Sequence, residues 1–232
     1  MLVAGFPAGS FAATCYLVAP APGEECIIID PGQDAAPGIE ELLDRYRLKP
    51  IAVLLTHGHI DHMWSVVPVC GAKDIPAYIH PDDRDLLTDP AKGISLLAKQ
   101  QFLAGLTFSE PDDVRELADG EVIMMAGLEF TVGHAPGHTP GSVTFAAPPP
   151  NSDDSAALFS GDLLFAGSIG RTDLPGGDDA QMLRSLAKTL TLPDATIVLP
   201  GHGPQTTIGT ERASNPFLTQ LSPAQWPAQK GL

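Results

Sequence analysis

Residues His57-Gly58-His59-Ile60-Asp61-His62 place three of the chain's seven histidines and a carboxylate within six positions, directly behind the apolar run Ile51-Ala52-Val53-Leu54-Leu55-Thr56. That run has the length and composition of a buried strand. A strand that ends in such residues sets them at the mouth of a core, on backbone held rigid by a sheet. His57 and His59 are two apart and point to one side in extended backbone, and Gly58 between them leaves space for an ion to approach. Asp61 and His62 follow where the chain turns and can wrap back toward the same point. Neutral imidazole and carboxylate are the ligands that a borderline divalent ion such as zinc prefers. A solvated polar turn accounts for one such histidine, not for this concentration.

The arrangement recurs. His138 lies in the Pro/Gly-punctuated loop Ala135-Pro136-Gly137-His138-Thr139-Pro140-Gly141 between two apolar runs. Asp162 ends Leu158-Phe159-Ser160-Gly161-Asp162, and His202 follows Ile197-Val198-Leu199-Pro200-Gly201. Each stands near a glycine in a loop at a strand end, where a rigid scaffold usually presents its chemistry. His57, His59, Asp61, His62, His138, Asp162 and His202 are too many for one four-coordinate zinc. They suit two ions about 3.5–4 Å apart sharing a carboxylate, a clamp for the attacking and leaving oxygens of a hydrolysis. Two divalent ions, less Asp61, Asp162 and one hydroxide, leave a single positive charge to polarise a carbonyl.

Three further groups read differently. His134 reads as a structural residue of the strand before His138, and His80 as a strand-end residue bonded to a neighbouring loop. Asp30, ending Cys26-Ile27-Ile28-Ile29-Asp30, reads either as an acceptor that orients a ligand histidine through its free ring N–H or as a turn carboxylate before Pro31-Gly32.

Taken in order, the His-x-His-x-Asp-His run, the Pro-Gly-His loop, Ser160-Gly161-Asp162 and Pro200-Gly201-His202-Gly203 resemble the metallo-β-lactamase superfamily over nearly the whole chain. Within it the chain looks most like the glyoxalase II (hydroxyacylglutathione hydrolase) group in a short form. Thr56–His62, Gly167-Ser168-Ile169-Gly170-Arg171-Thr172-Asp173 and Glu211-Arg212-Ala213-Ser214-Asn215-Pro216-Phe217 carry that closer match. The resemblance implies an α/β fold, a four-layer αββα sandwich. It implies one metal on His57, His59 and His138, a second on Asp61, His62 and His202, and Asp162 bridging, with zinc foremost and iron or manganese as alternatives. It also implies hydrolysis of a hydroxyacyl thioester, such as an S-lactoylglutathione-like compound, by a hydroxide shared between the metals and oriented by the catalytic Asp61.

Thirty residues follow His202, too few for the C-terminal helical domain that grips glutathione in the longer enzymes, and Gly203 stands where those tend to have an aromatic. Thioester chemistry is therefore carried further than the identity of the thiol. Arg171 has two readings, an anion contact for substrate or an ion pair with Asp173. Its loop is shared with the persulfide dioxygenases, which use one iron and oxygen and form the alternative reading. Lactonases and β-lactamases share the ligands too.

With 28 Asp+Glu against 13 Lys+Arg, the formal charge of −15 repels polyanions, so nucleic-acid substrates are disfavoured. Cys15, Cys26 and Cys70 lack C-x-x-C spacing and lie in apolar surroundings, as buried thiols of a reducing compartment do. The apolar start has no basic residue before Arg45 and is interrupted by Gly5, Pro7 and Gly9, unlike a signal peptide. The expectation is a cytoplasmic protein with a small-molecule partner and no membrane span; the oligomeric state is left open.

The pattern opens with two strands, Phe11–Val18 and Cys26–Asp30, paired across the Pro20–Glu25 turn. A helix over Gly38–Arg47, the Ile51–Thr56 strand, a helix after His62 and a strand at Ala77–His80 follow. Pro81–Gly105 reads as helical, either ordinary packing through Ile94, Leu96, Leu97 and Phe102 or a wall of the substrate cleft. Val122–Met125 and Leu128–Val132 form a hairpin about Ala126-Gly127. Val143–Ala147 and Ala157–Ser160 flank an exposed connection, and Asp178–Leu190 has helical spacing. One domain is expected over 1–220, with a loosely held tail from 221 to 232.

Overall fold

Successive side chains of a strand face opposite ways, and the central strands use both faces. In β3 (Glu25–Ile29), Cys26 and Ile28 pack in one core while Ile27 and Ile29 pack in another. Val53 and Leu54 of β4 (Lys49–Leu54) divide in the same way. Strands buried on both sides need covering layers above and below. The computed structural model, which describes residues 1–95, 100, 103, 105–148 and 155–221, shows what those layers are.

One sheet runs in spatial order β1 (Leu2–Ala8), β2 (Ala13–Ala19), β3, β4, β5 (Ala77–Ile79), β6 (Val114–Glu116). Its first two pairings are antiparallel and its other three parallel. The second sheet contains β7 (Val122–Met125), β8 (Leu128–His134), β9 (Val143–Ala147), β10 (Ala157–Gly161), β13 (Ile197–Pro200) and β14 (Thr206–Thr207), in the order β14-β13-β10-β9-β8-β7. Only β10 and β13 pair in parallel there. A small hairpin, β11 (Leu164–Phe165) with β12 (Ser168–Ile169), stands apart.

The sheets face each other across Ile27, Ile29 and Leu54 on one side and Phe130, Phe145 and Phe159 on the other. Helix α1 (Ala36–Tyr46) buries Ile39, Leu42 and Leu43 at helical spacing against the outer face of the first sheet, joined by Val66 and Val69 of α3 (Val66–Lys73). Helix α5 (Asp179–Thr189) starts where the Asp178 carboxylate accepts from Gln181 N at 2.8 Å, and packs Met182 and Leu186 on Leu158 and Val198 of the second sheet. Helix α6 (Ile208–Ser214) joins it through Ile208. The layers are helix, sheet, sheet, helix, the αββα sandwich that the resemblance implied.

Two details differ from the sequence reading. Leu2–Ala8 is a strand, so three strands open the fold. Among the described residues it pairs with β2 alone, at the sheet edge, where Pro7 costs no ladder bond, and Gly5 leaves room for the Tyr16 ring, which a Cβ would meet at 2.8 Å. The Pro81–Gly105 segment does not begin as one helix. Punctuated by Pro90 and Gly93, it breaks into the short helix α4 (Pro81–Arg84) and 3-10 turns at Asp85–Leu87 and Pro90–Gly93. Its later part, with Leu96, Leu97 and Phe102, lies outside the described residues, as do the 149–154 connection and residues 222–232. Leu221 is buried against the α5–α6 layer, so the packed body reaches at least that far. No described helix is long and apolar enough to cross a membrane.

Strands β3, β4, β10 and β13 present their carboxyl ends to one edge of the sandwich, where parallel strands of α/β folds commonly bind ligands. Tyr16 Oη donates to Pro200 O at 2.8 Å and its ring meets Phe159 edge-on, tying the two sheets together beside that edge.

Candidate metal centre

Every one of the seven expected side chains reaches this edge. Ligand atoms of His57, His59 and His138 lie within 4.8 Å of one another, as do those of Asp61, His62 and His202, and those of His57, His62 and Asp162. Asp162 stands between the groups, with Oδ1 3.4 Å from His62 Nε2 and Oδ2 3.5 Å from His138 Nε2 and 3.7 Å from His202 Nε2. Helix α2 (Ile60–Met63) begins at His59 and swings Asp61 and His62 back over the strand ends.

Hydrogen-bond accounting fixes which nitrogen each ring offers. The Thr56 hydroxyl donates to Asp30 Oδ2 at 2.7 Å and so can only accept from His57 Nδ1 at 3.1 Å, which leaves His57 Nε2 as a bare lone pair. His62 Nδ1 donates to Asp30 Oδ2 at 3.0 Å, and His138 Nδ1 donates to the Arg171 carbonyl at 2.7 Å. The opposite nitrogens face the centre, with His138 Nε2 2.8 Å from His59 Nδ1 and His62 Nε2 3.3 Å from His202 Nε2. Donor atoms sharing one tetrahedral zinc stand about 3.3 Å apart. Among the described residues, His57 Nε2 and Asp162 Oδ1 are buried with no hydrogen-bond partner, which a bound cation would remedy. Gly201 leaves the cradle open, since a Cβ there would run into Asp162 Oδ1 and His62 Cε1. The donor set fits a pair of divalent ions.

Burial, with His62 and His138 next, drives the His57 imidazole far below its ordinary pKa, and burial followed by His138 takes His59 to about 3. Burial also opposes charge on His62, but Asp162, Asp61 and Asp30 outweigh it and hold that ring protonated well above the usual range. The same balance raises His202, through Asp61 and Asp162. Asp61 and Asp162 stay ionised, because His62 and His202 overcome the burial that would raise them. His57 and His59 therefore carry no proton for an incoming ion to displace near neutrality, while His62 and His202 do. Metal affinity at the Asp61–His62–His202 group is expected to rise from pH 6 to 8, by up to about tenfold per pH unit for each proton released. His57 and His59 themselves should contribute no such rise, and titration of wild type with a chromophoric competitor at each pH reads the dependence.

Asp30 accepts from Thr56 N at 2.8 Å as well as from Thr56 Oγ1 and His62 Nδ1. It thus orients a histidine, the first of its two readings. Asp30→Ala strands those buried donors and should destabilise the metal-free protein by about 3 kcal/mol, a fall of roughly 6–12 °C in Tm for a chain of this size, readable by calorimetry.

The Arg171 guanidinium binds Asp173 at 2.6 and 2.7 Å and also lines the cavity over the centre, so the ion pair is present and the substrate contact stays open. What the sequence did not reveal is that the Arg171 carbonyl orients His138. Glu211 and Asn215 also gain a role, since both are buried, with Glu211 accepting from Gly167 N at 2.8 Å and Asn215 donating to Ser168 O at 3.0 Å. They tether the β11–β12 hairpin, which places Phe165 and Ile169 in the wall of a cavity of about 450 Å³ over the centre, with Phe11, Ile94 and Leu174 also lining it.

A further group among the described residues, His80, Asp82 and His134, has ligand atoms equally close. Its imidazoles stack 6° from parallel at 4.2 Å, so their lone pairs lie in separate planes and do not meet at one ion. His134 Nε2 lies 2.8 Å from Pro140 O, to which it donates. His134 ends β8 as a structural residue, as the sequence suggested, whereas His80 directly follows β5 and its Nδ1 accepts from Asp82 N at 3.3 Å, capping α4 rather than bonding a neighbouring loop.

A four-layer αββα sandwich with this His/Asp centre at its strand ends is the architecture of a metallo-hydrolase. The chain belongs to the metallo-β-lactamase superfamily, whose family model matches residues 8–202. It is 50% identical to an uncharacterized protein of Mycobacterium tuberculosis over 96% of this chain and 100% of that one. It is 37% identical to the probable metallo-hydrolase YqgX of Bacillus subtilis, over 93% and 97%. To the hydroxyacylglutathione hydrolase GloC of Haemophilus influenzae it is 34% identical, over 84% and 88%. Among solved structures, BLEG-1 B3 metallo-beta-lactamase superposes with a TM-score of 0.82 at 40% identity, over 94% of this chain and 100% of that one. TTHA1623 in a di-iron-bound form gives 0.75 at 40% identity, with the same coverage.

Proposed function

We propose that this metallo-hydrolase cleaves a thioester of a small hydroxy acid, releasing a thiol and a carboxylic acid. The observation that carries the reading is the pair of three-donor groups joined by Asp162 beneath an open cavity with largely apolar walls. Its support among relatives is the hydroxyacylglutathione hydrolase of Haemophilus influenzae. His57, His59 and His138 would hold one divalent ion, Asp61, His62 and His202 a second, and Asp162 both. Zinc is the first choice of this donor set; iron, as in the di-iron neighbour, and manganese follow. When bound, the ions supply a hydroxide nucleophile near neutral pH and polarise the acyl oxygen.

The chain's own residues do the rest. Asp61 hydrogen-bonds the attacking hydroxide and orients it. Phe11, Phe165, Ile169 and Leu174 hold the apolar parts of acyl group and thiol. A thiolate is a good leaving group, so no dedicated acid is needed. Nor is a covalent nucleophile. All three cysteines are buried free thiols, Cys26 and Cys70 pushed up to about 12 by burial. Buried free thiols also suit the reducing cytoplasm in which the reading sets the protein.

A β-lactam is the second reading, favoured by 40% identity to a structure described as a B3 metallo-beta-lactamase. Hydrolysis of thioesters, lactones and β-lactams by protein of known metal content separates them. The proposal expects thioesters to give the highest kcat/KM. A clear preference for β-lactams would reject it, as would oxygen uptake with a thiol persulfide at one iron per chain.

A further inference from the structure

One carboxylate near the centre has no part in the chemistry above. Asp83 is fully buried although its α4 neighbours Pro81 and Asp82 are exposed. Its two oxygens accept three hydrogen bonds from two separate loops. Oδ2 takes Gly58 N–H at 2.8 Å and the Thr139 hydroxyl at 2.7 Å, while Oδ1 takes Gly141 N–H at 2.7 Å. Gly58 is the residue between His57 and His59, and Thr139 directly follows His138. One side chain thus joins the two loops that carry all three imidazoles of that group.

The loops also approach α4 as closely as glycine permits. A Cβ on Gly58 would meet Asp83 O at 2.9 Å and Leu86 Cβ at 2.7 Å, and one on Gly141 would meet Asp83 N at 2.6 Å. The His138 loop is closed by its own bonds, Ala135 N to Ser142 O at 2.8 Å and Thr139 N to Ser142 Oγ at 3.2 Å. It meets Asp83 as a preformed unit. The other metal group is served differently, since the carboxylate behind His62 is Asp30.

We propose that Asp83 is a positioning residue. It sets the spacing of His57, His59 and His138 through the backbone that bears them, and so governs the affinity of the ion held there without touching it. This rests on the reading of those histidines as metal ligands. Carboxylate symmetry is essential to the arrangement. In Asp83→Asn the amide NH2 must replace one oxygen, and at either position it confronts a backbone N–H, that of Gly58 or that of Gly141. The loops then part, and donor atoms now 2.8 Å apart in His59 and His138 lose their register.

The test is titration of metal-free protein with Co2+, followed by visible absorption, for wild type, Asp83→Asn, Thr139→Val and His59→Ala. Wild type should show two binding classes, and the class missing in His59→Ala marks the His57–His59–His138 group. In Asp83→Asn that class alone should weaken, by about tenfold or more, with an altered absorption band. Thr139→Val, which removes one donor, should move it the same way by less, and it carries the test if Asp83→Asn fails to fold. Circular dichroism and the thermal midpoint of the metal-free variants report the fold separately. Unchanged binding in both variants would overturn the proposal, and so would equal weakening of both classes in step with lost stability. If wild type took up no Co2+ at all, the ligand reading itself would fall and the proposal with it.

Discussion

Replacing His59 by alanine is expected to remove the ion of the His57–His59–His138 group and cut hydrolysis by about 10³-fold or more, some 4 kcal/mol of transition-state stabilisation, while the fold survives. His59 offers Nδ1 to the centre, 2.8 Å from His138 Nε2. Its other nitrogen is buried without a hydrogen-bond partner, close beside Gly93. Truncating the ring therefore strands no buried partner at Nε2, and it removes a polar atom that burial already penalises. Stability and function should separate cleanly at this position. Metal analysis, far-UV circular dichroism and kcat/KM on one preparation measure all three. A folded, metal-poor and inactive variant is the expected result; a fully active one would end the assignment.

The second large effect is expected at Asp61. Asparagine keeps its shape but removes the charge, and with it the acceptor that the proposed mechanism uses to orient the attacking hydroxide. His62 and His202 hold it ionised despite its burial, His202 through a contact of Nε2 with Oδ2 at 3.2 Å. Asp61→Asn should lower kcat by about 10²-fold, the usual cost of a misplaced reacting group, with a much smaller change in KM, because the hydrophobic cavity walls proposed to hold substrate are untouched. Metal content discriminates between roles. A loss of kcat larger than the loss of metal identifies Asp61 as acting on the water, whereas losses in proportion would make it a ligand only.

Much of this centre was legible in the chain because its residues mark themselves. Histidine and aspartate at the ends of apolar runs carry the chemistry in their identity, and period-two burial in β3 and β4 follows from Ile-rich and Val/Leu-rich segments. The supports were harder to see, for a physical reason. The Arg171 carbonyl that orients His138 is backbone, and backbone has no sequence signature. Asp83 sits in Pro81-Asp82-Asp83-Arg84, a stretch that composition assigns to solvent, and only the fold shows that one of these carboxylates turns inward. Strand β1 was hidden because Gly5, Pro7 and Gly9 read as interruptions, whereas an edge strand tolerates proline and Tyr16 requires the glycine. The 81–95 segment misled in the opposite sense, with apolar content but too many breakers for one helix.

The central claim is that seven side chains converge to hold two ions that hydrolysis requires. The most direct measurement is metal content per chain together with thioester hydrolysis, before and after exhaustive chelation and after stepwise return of a divalent metal. The account predicts about two ions per chain, loss of hydrolysis with their removal, and recovery that follows their return. Undiminished hydrolysis by metal-free protein would contradict it.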